Sequence, residues 1–199
     1  MIEDQAQVAQ VSLAETDLTG LKAANILLEQ VTCRRITFVR SSLAGLRIID
    51  SRLEGCDMAG AIWVRARLRR VELFGCRLLG VDLSDSIFED VLFRDCYLER
   101  SVFSRASFKS ARFEKCILKE TFFESADLTG VAFYESDLSE ADLRNAKLLG
   151  TDFRSANLNG MRTGIKELQG AIIAPFQAIQ VASLLGLVVK EMDEVEVNP

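Results

Sequence analysis

The sequence predicts a repeat solenoid that turns a corner every five residues and is closed at its C-terminal end by a short helix. Three observations predict it: an apolar residue at every fifth position, a small uncharged residue two places before it, and a segment running from proline to glycine where the pattern stops.

Every fifth residue from Val8 to Leu158 is apolar, 31 positions in all, and 25 of these are Leu or Phe. In a chain that is 49% hydrophobic, chance would produce such a series about once in 10⁹ trials. The second series lies two residues earlier and, from Ser51 to Ala156, holds only Ala, Ser, Thr, Cys and Val. Charged residues fall almost entirely between the two series. A period of five matches neither the 3.6 of a helix nor the 2.0 of a strand. A chain that bends every five residues, pointing one large and one small side chain inward from each side, accounts for it.

The segments Ala126-Asp127-Leu128-Thr129-Gly130, Ser136-Asp137-Leu138, Ala141-Asp142-Leu143 and Ala156-Asn157-Leu158 resemble the pentapeptide repeat, Ala-(Asp/Asn)-Leu-X-X. The resemblance covers about 155 residues without an insertion. It implies an all-β solenoid, a right-handed quadrilateral β-helix with four repeats to a coil. Residues twenty apart should then stack, each coil meeting only its neighbours. Cys56, Cys76, Cys96 and Cys116 are so spaced in the small position, and Phe93, Phe113, Phe133 and Phe153 in the large one. With coils about 4.8 Å apart, the repeats would make about eight coils and a rod of roughly 37 Å.

The N-terminal coils put Leu21, Ile26, Ile36 and Leu46 in the small slot, which predicts a less regular cross-section with the chain path kept. Residues 1–5 are expected to be an extension and 6–173 the β-helix. Beyond Leu158 the pattern loosens and stops at Pro175, a residue suited to a first helical turn, with Gly186 suited to the C′ position. Between them only Gln177, Gln180 and Ser183 are polar, so the helix is apolar around most of its circumference. A helix that merely covered the solenoid end would need one apolar face. A second surface is therefore expected over Phe176, Ile179, Ala182, Leu184, Leu185 and Leu187. Residues 174–190 are assigned to this cap or dimerisation segment, with Leu187–Val189 as a short strand and 191–199 as an acidic tail.

Composition narrows the function. The 199 residues carry a formal charge of −5 and no histidine, which removes the commonest general base and metal ligand. No Ser-His-Asp or Cys-His pair can be assembled and no glycine-rich phosphate loop is present, so neither an enzyme nor a metal or cofactor is expected. The acidic start, Met1-Ile-Glu-Asp-Gln, has no apolar core of a signal peptide, and no run of eighteen apolar residues occurs, so a cytoplasmic address without a membrane span is expected. Five cysteines then read as reduced thiols, filling space inside the coils.

Charge is uneven. Residues 121–199 hold 6 Lys/Arg against 12 Asp/Glu, whereas residues 1–120 are nearly balanced. The densest basic run, Arg65, Arg67, Arg69 and Arg70 with Arg47 one coil away, could contact phosphate, but Asp50, Glu89 and Asp90 lie close enough to neutralise it. Columns such as Arg34, Glu54, Phe74, Arg94, Glu114 alternate sign from coil to coil and suggest pairing between coils. The expected role is that of a non-catalytic protein binding an unidentified protein partner through its solenoid surface.

The segment Gln177-Ala178…Leu184-Leu185-Gly186-Leu187 also resembles the end of Qnr-type and MfpA-type pentapeptide proteins. That resemblance implies a homodimer joined end to end. It also implies an alternative role as a DNA mimic that binds DNA gyrase or topoisomerase IV and modulates fluoroquinolone sensitivity. Asp127, Asp137, Asp142 and Asp152 are the candidate acidic surface for it. No direct contact with nucleic acid is expected.

Overall fold

The computed structural model describes residues 3–190. Strands in it pair in parallel with the segment twenty residues on: Gln7 with Leu27, Leu27 with Arg47, Arg47 with Arg67 and Arg67 with Ile87. The register never slips, from Asp17 opposite Thr37 at one end to Asp152 opposite Ile172 at the other. This twenty-residue ladder on each of four sides is the quadrilateral β-helix the repeat implies. Regular strands run from Gln7 to Tyr134, about six turns, and isolated bridges carry the path on to Ile172. The expected coil count of about eight is thus high for regularly paired turns.

A local competition contributes to the difference. Where Asp or Asn precedes the central residue, its side chain accepts the backbone N–H two residues on. Asp137 takes Ser139 N at 2.9 Å, Asp152 takes Arg154 N at 3.1 Å and Asn157 takes Asn159 N at 3.1 Å. Such turns draw the backbone away from an extended ladder. The eight-residue strands Arg47–Glu54, Arg67–Phe74 and Ile87–Arg94, which run through a corner, carry Arg, Glu, Ile or Leu in that position. So do the isolated bridges at Ile62, Arg77 and Ile117, so the side of the coil matters as well as the residue. Between sides, the corner residue adopts positive φ (Arg70 +53°, Asp95 +53°) and its N–H reaches the next coil, as from Arg100 to the Lys119 carbonyl at 3.0 Å.

The inward residues fill the bore. Phe88 stacks on Phe108 at 4.5 Å between ring centroids, Phe93 on Phe113 at 4.7 Å, Phe113 on Phe133 at 5.0 Å and Phe133 on Phe153 at 5.4 Å. The bulky N-terminal residues Ile26, Ile36 and Leu46 are buried in the small slot. Trp63 is buried too, donating its indole N–H to Ser41 Oγ at 2.9 Å and meeting Phe38 edge-on.

At the C-terminal end a single 3-10 turn, Pro175–Gln177, leads into helix α1 (Ala178–Leu184), and Gly186 follows with φ +77°. Leu187–Val189 forms no strand, contrary to the sequence expectation: the last ladder ends at Ile172, and the Leu187 N–H is spent on the Ala182 carbonyl at 3.0 Å. Asp4 and Gln5, assigned to the extension, already bond to the second coil: Gln5 N to the Ala24 carbonyl and Ala24 N to Asp4 Oδ1, both at 2.8 Å. Met1, Ile2 and the tail 191–199 lie outside the described residues.

Candidate interaction surfaces

The C-terminal end is the most apolar surface. Phe176, Ile179 and Leu187 are 69%, 61% and 62% exposed, and Leu149, Ile165 and Val188 add to the same end of the rod. Val181 and Leu184 are half-buried against the core, and Ala182 and Leu185 are likewise half-buried. The inward anchor is one of the three polar residues of the segment. Gln177 is wholly buried, donates Nε2 to the Phe153 carbonyl at 2.7 Å and the Ala156 carbonyl at 2.8 Å, and accepts Ala174 N at 2.8 Å. It satisfies carbonyls of the last coil that no further strand meets. Gln180 reaches Asn159 Oδ1 at 3.2 Å. With glutamine turned inward, the 3-10 turn leaves Phe176 outside and α1 leaves Ile179 outside.

The four candidate acidic residues are not brought together. Asp127 lies in the ladder between Ser107 and Lys147, Asp137 between Ile117 and Asn157, Asp142 between Phe122 and Arg162, and Asp152 next to Ala132 and Ile172. These are four ladders, one on each side of the coil. Three of the carboxylates are also neutralised. Asp142 is 2% exposed and gripped at 2.6 Å by Arg144, with Arg162 at 3.7 Å. Asp152 is held by Arg154 at 2.6 Å and Asp127 by Lys147 at 3.1 Å. The Arg144 and Arg154 guanidiniums hold the carboxyls of Asp142 and Asp152 below their ordinary value. Burial pushes Asp127 upward, but hydrogen bonds from Thr129 and Lys147 outweigh it and its value is lowered as well.

Elsewhere the shaft is laced by pairs between coils: Arg34 to Glu54 at 3.0 Å, Arg52 to Glu72 at 3.1 Å, Arg94 to Glu114 at 2.5 Å and Arg105 to Asp85 at 2.7 Å. Phe74 interrupts the alternating column and takes the Arg52 guanidinium 4.1 Å above its ring, a cation–π contact. A shallow groove of about 800 Å³ follows the corner between two sides, from Gln30 to Ala132. Much of its charged wall is occupied by its own pairs, Arg70 with Asp50 and Arg52 with Glu72.

The cysteine ladder is interior. Cys56, Cys76, Cys96 and Cys116 are buried, and each Sγ approaches a carbonyl of the coil below, those of Cys33, Leu53, Leu73 and Phe93, at 3.4–3.5 Å. Burial, with the Cys56 thiol beside it, pushes Cys33 up to about 12. Among the described residues no cluster of three His, Cys, Asp or Glu is placed to hold a metal ion, and no helix is long and apolar enough to cross a membrane.

Comparison with known proteins gives the same picture as the ladders. A family model described as a pentapeptide repeat region matches residues 46–123, and one described as pentapeptide repeats (8 copies) matches residues 106–144 and 123–160. No curated protein matches the chain. Among solved structures, HetL, a pentapeptide-repeat protein involved in heterocyst differentiation regulation in the cyanobacterium Nostoc, is 22% identical. The match covers 85% of this chain and 90% of HetL, with a TM-score of 0.49. A trypsin-treated form of QnrB1, a plasmid-mediated fluoroquinolone resistance protein, is 20% identical over 94% of this chain and 99% of its own, with a TM-score of 0.45. Rfr23 from the cyanobacterium Cyanothece is 13% identical over 86% and 91%, with a TM-score of 0.33. The matched repeats and the unbroken twenty-residue register together place this chain in the pentapeptide-repeat family.

Proposed function

We propose that this chain is a non-catalytic, protein-binding solenoid that works as a homodimer joined through its C-terminal end. The supporting observation is the exposure of Phe176, Ile179 and Leu187 on the segment that closes the rod. A surface helix needs one apolar face; here Val181 and Leu184 pack inward with Gln177, yet Phe176, Ile179 and Leu187 are left facing out. A second copy presenting the same residues about a two-fold axis would cover them. The shaft then remains for a protein partner, with exposed Ile62, Tyr97, Phe122 and Tyr134 available among its ion pairs.

Sedimentation equilibrium tests the dimer: the wild type should show twice the chain mass, and Phe176→Glu/Ile179→Glu should show a folded monomer. A wild-type mass that stays monomeric at every concentration would sink it. The mimic reading draws on the acidity of residues 121–199 and the resemblance of the C-terminal end, and is weakened by carboxylates that face four ways. Supercoiling by gyrase separates the two readings. Inhibition lost on charge reversal at Asp137 favours the mimic, and unchanged supercoiling favours the partner-binding solenoid.

A further inference from the structure

The sequence places Arg47, Arg65 and Arg67 in a basic run with acids close enough to neutralise it, and the structure resolves which arginines are neutralised. Arg70 is taken by Asp50, and Glu89 gives its carboxylate to Lys109 at 3.2 Å. Asp85, one level from Arg65 in the corner column, gives both oxygens to Arg105 at 2.7 and 2.8 Å. Arg47, Arg65 and Arg67 make no ion pair among the described residues. They line one recess of about 480 Å³ with Asn25, Gly45 and the alanines Ala24 and Ala44, and no carboxylate lines it.

The coil register builds this recess. Arg47 and Arg67 are direct partners in adjacent parallel strands, about 4.8 Å apart along the axis. Arg65 lies two residues before Arg67, at a corner with φ +58°. The equivalent corner one level down is Gly45, also at positive φ, where a Cβ would come 2.7 Å from Asn25 Oδ1. Glycine there keeps the space under Arg65 open. Like charges directly opposite one another across a ladder are destabilising, so an anion between Arg47 and Arg67 would relieve their repulsion.

We propose that this recess is an anion site for a dianionic phosphate group, as free inorganic phosphate or as the phosphoryl end of a small phosphate ester. Three guanidiniums present more positive charge than one carboxylate can satisfy. A phosphate offers two negative charges and at least three acceptor oxygens to planar donor forks. The site is independent of the C-terminal end and of dimerisation.

Calorimetric titration tests it, with inorganic phosphate and glucose 6-phosphate as probes against chloride at matched ionic strength. Saturable binding of one phosphate per chain is expected, with a rise in Tm that chloride does not give. Arg65→Ala and Arg67→Ala should each weaken binding by about tenfold or more, and Arg67→Lys by less, because it keeps the charge and loses the fork. Arg69→Ala, outside the recess, should bind as the wild type does. Tighter binding of the ester assigns the site to a small phosphorylated molecule, and equal affinity assigns it to free phosphate. No saturable binding at millimolar probe, or binding unchanged in the Arg65 and Arg67 variants, overturns the proposal. So does duplex DNA that binds with the same arginine dependence while the small phosphates do not.

Discussion

Gln177 shows how one side chain decides the end of a solenoid. Its amide meets two carbonyls of the last coil, at Phe153 and Ala156, that lie out of reach of water. Gln177→Leu keeps the volume but leaves the Ala156 carbonyl and the Ala174 N–H without the partner Gln177 gives them, while the Phe153 carbonyl keeps only the Ala156 N–H; this should cost about 1–3 kcal/mol. Urea titration followed by circular dichroism measures it, and an unchanged midpoint would show that the cap is held by apolar contacts alone. The thiols give a second prediction at this scale. With Cys33 pushed up to about 12 and all five sulfurs buried, an aromatic disulfide reagent should label none in the native protein at pH 8 and all five after denaturation. Rapid labelling of even one native thiol would mean that a coil opens locally.

At the scale of the element, most of the architecture was legible in the residues. Period-five apolar spacing places every buried Phe and all the buried Leu of the bore except Leu46, which fills a small slot, because a side of fixed length leaves no freedom of register. The helix bounds were legible from Pro175 and Gly186, whose backbone constraints are local. The strand expected at Leu187–Val189 was not, since a strand depends on a partner that only the fold supplies or withholds. The direction of α1 was not legible either: a polar stripe reads as solvent-facing, and nothing local says that carbonyls at Phe153 and Ala156 await Gln177. The four aspartates show the same limit for the candidate surface. Spacing by five or ten in sequence looks contiguous, yet it sends successive side chains around the coil onto different sides. The arginine recess was half visible, its residues plain and its pairing pattern hidden.

For the whole molecule, contacts run only between neighbouring coils, so stability adds up along the axis. Phe113 sits in mid-stack, between Phe93 and Phe133. Phe113→Ala should cost about 3–5 kcal/mol. It should also split calorimetric melting into two steps, as the coils on either side lose their coupling; a single sharp transition would show coupling through the ladders instead. Acid should act on the rod as a whole. Asp50 and Glu54 are held below their ordinary values, first by hydrogen bonds from Arg70 and Arg34, and Asp142 and Asp152 by Arg144 and Arg154. Because the folded values are depressed, their stabilisation is complete above the ordinary values of 3.8 and 4.5 and disappears as pH falls through the folded ones. Tm should therefore be level from pH 7 to about 5 and drop below that. A Tm that rises on acidification would contradict the pairing.

The unslipping twenty-residue register also makes the chain a rotary scale. Deleting one full turn from the shaft would shorten it by about 4.8 Å and leave every remaining side aligned as before. Deleting a single repeat of five would swing everything downstream by a quarter revolution. The arginine recess, on the second to fourth coils, and the C-terminal helix would then address different directions. Length and bearing are thus separately adjustable in this molecule, and natural variants that differ by multiples of twenty should preserve the azimuth between its two ends.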